Sequence, residues 1–82
     1  MKRKTIKKKI YKYTAIFELN EIRGYTVTVP ALPGLVTEGR SLKEAKKMAE
    51  DAIRCYIEGL LKEKEPLPIE GRILRDKIAV AF

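Results

Sequence analysis

Residues 30–45 read Pro-Ala-Leu-Pro-Gly-Leu-Val-Thr-Glu-Gly-Arg-Ser-Leu-Lys-Glu-Ala, and they predict a rigid turn, a short strand and the start of a helix. Proline fixes φ and removes an N–H donor, whereas glycine gives the turn backbone freedom. Ser41 followed three residues later by Glu44 is a capping box, whose hydroxyl and carboxylate accept hydrogen bonds from N–H groups at the helix entrance. The residues with predicted structural roles are Pro30, Gly34, Gly39, Ser41 and Glu44.

Periodic apolar patterns predict further strands before this stretch and a long helix at its end. Residues 11–19 and 25–29 alternate with a period of two, which predicts two strands joined by a hairpin at 20–24. A third short strand is predicted at 35–38. Residues 42–62 place apolar side chains at steps of three and four, which predicts one amphipathic helix packed on the sheet.

The end of the sequence predicts a closing strand. Pro66 and Pro68 stop the helix, and residues 77–82 alternate again. Two antiparallel pairings and a right-handed crossover would place this fourth strand parallel to the first and beside it. The predicted fold class is therefore α/β, in the form of an α+β two-layer sandwich of order β-β-β-α-β, with one helix on a mostly antiparallel sheet.

The net charge of +7 is concentrated at the N-terminus. Residues 10–82 are predicted to form a single domain, and residues 1–9 a basic arm. Such an arm can contact nucleic-acid phosphates, or its lysines can stay solvated and discourage pairing at a strand edge. The candidate nucleic-acid contacts are Lys2, Arg3, Lys4, Lys7, Lys8 and Lys9.

The composition excludes several kinds of chemistry. With no His and one Cys, the chain lacks histidine acid–base catalysis, histidine metal ligands and any internal disulfide. Glu18 is the lone acidic residue of the first strand, so the converging carboxylates of a two-metal nuclease are not expected. Cys55 is predicted to be a partly buried helix residue. We expect no enzymatic activity, no metal and no cofactor. No apolar run is long enough to cross a membrane, which makes the cytoplasm the expected location.

The order of motifs resembles the HicB family of antitoxin-like proteins. These motifs are an aromatic first strand, a second strand ending in Pro30, the Leu-Pro-Gly turn, Thr-x-Gly, and Ser-Leu-x-Glu-Ala at the helix start, within residues 13–68. The resemblance implies a truncated ribonuclease-H-like fold. It also implies steric neutralisation of HicA, a small basic toxin of double-stranded-RNA-binding-domain fold that cuts messenger RNA, in a type II toxin–antitoxin system.

Loops on a rigid sheet often carry recognition, and the sheet face opposite the helix is expected to be open to a partner. That face should present Thr14, Ile16, Thr26, Thr28, Ala79 and Ala81. The predicted contacts with a HicA-like toxin are Tyr25, Leu32, Pro33, Glu38 and Arg40.

Two other functions remain open. One is a small oligomeric nucleic-acid-binding protein that uses the basic arm, and the other is an orphan HicB-like scaffold without a toxin. A homodimer or higher homo-oligomer is expected, because a strand edge would otherwise stay open. Many HicB antitoxins continue into a DNA-binding module after this domain. The sequence ends at Phe82 without one, so repression of an operator is left open.

Overall fold

Three antiparallel strands and one helix form a two-layer α+β unit in the computed structural model, which describes residues 9–82. The strands are β1 (Ile16–Leu19), β2 (Tyr25–Thr28) and β3 (Val36–Gly39), in the sheet order β1-β2-β3. The helix α1 (Leu42–Lys62) covers one face of this sheet. The predicted α+β class and the order of these four elements are confirmed.

Pro30 limits how far the pairing of β1 with β2 extends. The register pairs Ile16 with Thr28, so its continuation would place Thr14 opposite Pro30, which has no N–H to donate. β1 therefore begins at Ile16, and residues 11–15 lie outside the strand that the alternating pattern predicts. Within the turn that follows β2, Gly34 has a φ of 84°, a conformation that disfavours side chains with a Cβ.

The core lies between α1 and the covered face of the sheet. Ala45 and Ala49 on α1 meet Val27 on β2, which keeps the two layers close there, whereas mostly larger α1 side chains pack on the turn. The Tyr56 hydroxyl also donates a hydrogen bond of 3.0 Å to the Pro33 carbonyl, which ties the turn to the middle of α1. The buried apolar residues among 9–82 are Val27, Val29, Leu32, Leu35, Ala45 and Ala49.

The start of α1 touches the end of β3. The Ser41 hydroxyl accepts a hydrogen bond of 3.0 Å from the Glu44 N–H, and the Glu44 carboxylate accepts one of 3.0 Å from the Arg40 N–H. A Cβ on Gly39 would lie against the backbone N of Ala45 and 2.6 Å from its Cα. Gly39 is therefore required by the close approach of the helix backbone, and it has no positive φ.

The expected closing strand is absent, and this prediction is wrong for the single chain. Residues 65–82 contain no helix or strand, and every residue in 71–82 is exposed, including Ala79 and Ala81. Alternation makes a segment suited to a strand, but a ladder also needs a neighbouring strand, and this segment does not run along β1. The open sheet face consequently lacks the contribution expected from Ala79 and Ala81.

The chain after α1 is anchored before it leaves the body. The Tyr13 hydroxyl donates a hydrogen bond of 2.7 Å to the Pro68 carbonyl. The Glu70 carboxylate accepts hydrogen bonds from the N–H and the hydroxyl of Thr14. Burial, followed by the nearby Tyr11 and Glu70, raises the pKa of Tyr13 above its ordinary value of 10.0.

Two further sequence predictions concern surface residues. Cys55 is exposed, so the prediction that it is partly buried is wrong. Lys9 is exposed, and the other candidate nucleic-acid contacts, at positions 2–8, lie outside the described residues. No helix within residues 9–82 combines the length and apolar character needed to cross a membrane.

We predict that Gly39→Ala lowers the free energy of unfolding by about 1–3 kcal/mol, because the new methyl group must displace the helix start. Gly59→Ala is the matched control. Gly59 lies in α1 with open space around its Cα, so a Cβ should raise stability by about 0.5–1 kcal/mol through helix propensity. Urea unfolding of both variants measures the difference, and equal changes would contradict the proposed close contact.

We predict that Tyr13→Phe lowers the free energy of unfolding by about 0.5–1.5 kcal/mol through loss of the bond to Pro68. Tyr11→Phe, at an exposed tyrosine nearby, should have little effect. Because the folded-state pKa of Tyr13 is raised, its stabilisation should be complete below pH 10.0 and be lost as the pH rises through that higher pKa. Denaturant titrations from neutral to alkaline pH check this, and a Tyr13→Phe variant with the wild-type pH profile would contradict it.

Candidate partner-binding face

The sheet face opposite α1 consists of two parallel rows of side chains, because residues paired across neighbouring strands share a face. We call this surface the open face. The first row contains Ile16, Thr28 and Val36, and the second contains Glu18, Thr26 and Glu38.

The second row is acidic at both ends. Glu18 and Glu38 are exposed and lie on the two outer strands, with Thr26 between them on β2. Strands are about 4.8 Å apart, so the two positions are separated by roughly 10 Å. The ion pairs found among residues 9–82 lie on α1, at Lys47–Asp51 and Arg54–Glu50, so both carboxylates remain available to a basic partner.

The first row is mainly apolar. Val36 is 64% exposed at one end, whereas Ile16 and Thr28 are half-buried. An apolar strip beside charged groups is typical of surfaces that another protein covers, since the strip gains from burial and the charges set the orientation.

Asn20 shapes the hairpin end of the open face, and the sequence reasoning assigned it no role. Its side-chain oxygen accepts hydrogen bonds from the N–H groups of Ile22 (3.2 Å) and Gly24 (2.9 Å), and its amide donates to the Thr26 hydroxyl at 3.4 Å. Asparagine at the start of a turn is the signal that predicts such bonding. Arg23 completes the turn with a φ of 63°.

The five predicted contact residues do not form one cluster. Glu38 lies on the open face, whereas Tyr25 lies on the covered face, in register with Gly39. Pro33 and Arg40 are exposed, in the turn and before α1 respectively.

Leu32 requires a correction. It is 1% exposed and packs with Val29 and Leu35, so its side chain supports the turn from inside the core. A partner cannot contact it without unfolding the turn. The roles of the other four residues stay predictions.

The acidic side chains of the open face are separated from each other. No group of three or more metal-ligating side chains occurs in the part of the chain that the structure describes. Two separated carboxylates on a stiff sheet can instead each meet a different cationic side chain.

Comparisons with known proteins agree with the sequence resemblance. Residues 13–79 match the profile of a family described as HicB_like antitoxin of bacterial toxin-antitoxin system. A UPF0150 protein of Thermoplasma acidophilum is 49% identical over 57 residues, which cover 70% of this chain and 83% of the relative. A UPF0150 protein of Synechocystis sp. is 37% identical over 68 residues, or 83% and 86% of the two chains.

A longer relative carries a functional name. Antitoxin HicB 1 of Photorhabdus laumondii is 32% identical over 69 residues. The match covers 84% of this chain and 44% of that protein. The similarity therefore concerns less than half of the longer relative.

Proposed function

The chain belongs to the family of HicB-like antitoxins of bacterial toxin–antitoxin systems, and on this basis we propose that it binds a HicA-type ribonuclease toxin through the open face and keeps RNA away from it. The observation that carries the proposal is the pair of exposed carboxylates, Glu18 and Glu38, beside an apolar row on a rigid sheet.

Charge supports this choice of partner. A protein that binds RNA presents Lys and Arg side chains to phosphates, and carboxylates spaced along a strand row can occupy the same cations. Residues 13–82 carry no net charge, so the attraction would come from the local arrangement of Glu18 and Glu38. Val36 and Ile16 would add apolar contact next to these charges.

Rigidity supports a steric mechanism. The sheet is backed by α1, and Asn20 and Gly34 hold the turns at the two ends of β2. A surface that is already ordered loses little conformational entropy on binding, so more of the contact energy appears as affinity. The antitoxin would then act as an inert cover and would need no catalytic group of its own.

We predict that the double charge reversal Glu18→Lys with Glu38→Lys weakens toxin binding at least about tenfold, corresponding to about 1.4 kcal/mol. The matched control is Glu63→Lys with Glu65→Lys, the same double change at exposed residues after α1 and away from the sheet. Calorimetry with a purified HicA-type toxin measures affinity, and cleavage of a messenger RNA by that toxin measures inhibition.

Two results would contradict the proposal. The first is a toxin affinity that the double reversal leaves unchanged. The second is RNA cleavage by the purified antitoxin itself, lost in Glu18→Gln, which would make the chain an enzyme. Tight binding of RNA or DNA at physiological salt, abolished by removal of residues 2–9, would favour the alternative function of the basic arm.

A further inference from the structure

The segment 71–82, which we call the tail, carries an apolar stripe that has no partner in the single chain. Ile78 is 81% and Val80 71% exposed, and Phe82 is also exposed. These residues alternate with Ala79 and Ala81, so an extended tail has one face of large side chains and one of small side chains. Large apolar side chains left in water lose the free energy that burial would provide.

A surface that could bury this apolar stripe lies along β1. β1 is an edge strand, with β2 on one side and no strand on the other among the described residues. Beside it, between the chain leading into β1 and α1, lies a groove of about 630 Å³. We call it the edge groove, and its apolar lining includes Tyr13, Ala15, Phe17, Ile53 and Ile57.

The alternation of large and small side chains in the tail matches the two sheet faces that meet at the β1 edge. A strand added beside β1 would place alternate side chains on the two sheet faces. The large face of the tail would enter the edge groove, and Ala79 and Ala81 would extend the open face beside Ile16.

We propose that two copies of this chain exchange tails, so that residues 78–82 of each copy pair with the β1 edge of the other and fill its edge groove. The single chain leaves the apolar stripe and the edge groove uncovered, although the hydrogen bond between Thr14 and Glu70 holds the start of the tail close to β1. A second copy supplies both missing surfaces at once, in the reciprocal manner of a two-fold dimer.

The size of the molecule favours this exchange. The described part of the chain buries six apolar side chains, which is a small core, and small domains gain most from association. Two exchanged strands would contribute two contacts to one interface, and stable interfaces bury about 1,200–2,000 Å² in total. The exchanged tail would lie in the plane of the sheet and extend the open face without covering it, so this dimer and the toxin contact do not exclude each other.

The first test is the oligomeric state of purified variants, measured by light scattering at micromolar concentration. Wild-type protein should have twice the chain mass of 9.4 kDa, and Val80→Asp should have the mass of one chain. Ile69→Asp, the same change at a residue that is 94% exposed and precedes the tail, should remain dimeric. Far-UV circular dichroism should retain the signal of α1, since Val80 does not contribute to the core. Monomeric wild-type protein or dimeric Val80→Asp would overturn the proposal.

The second test separates exchange between copies from closure of a tail onto its own body. Cys55 is exposed and would react with a label, so all samples carry Cys55→Ser. Unlabelled chains with a spin label at Lys77→Cys are refolded together with ¹⁵N-labelled chains that lack it. Exchange predicts loss of the Phe17 and Leu19 amide signals in the ¹⁵N chains. Their retention in this sample, with loss only when one chain carries both labels, would show closure onto the same chain and overturn the proposal.

Discussion

The close backbone contact between Gly39 and Ala45 is the constraint on which the rest of the structure depends. It brings the start of α1 against the end of β3, and the Ser41 cap fixes the direction in which the helix leaves. From that point Ala45 and Ala49 can lie against Val27 without separating the layers. A larger residue at position 39 would move the whole helix, because a well-packed interior does not absorb an added atom locally.

Covering one face of the sheet leaves the other face free. The covered face holds the core, and the register then assigns every second residue of each strand to the surface opposite. The strand pairing that buries Val27 on the covered face therefore also places Glu18 and Glu38 on the open face. The antitoxin family membership and this division of the sheet both support the proposal that the chain recognises its partner through a shaped and charged surface.

Local signals in the sequence predict local structure well in this chain. The helix bounds follow from apolar spacing and from the Ser41 cap, and the predicted 42–62 agrees with Leu42–Lys62. Predictions that depend on distant parts of the chain were weaker. Leu32 looks like a turn residue in sequence but is buried, and the alternation in 77–82 cannot reveal which strand, if any, lies beside it. Glu38 could be proposed from its loop-flanking position, whereas its alignment with Glu18 requires the strand register.

The two hydrogen bonds from Thr14 to Glu70, with the bond from Tyr13 to Pro68, end the folded body at a defined point. In the single chain, the residues after Gly71 do not pack on the core, since none of them has a buried side chain. Gly71 therefore marks the boundary between the folded body and the tail. Truncation at this boundary would therefore leave the folded body intact and remove the strand that the proposed exchange requires.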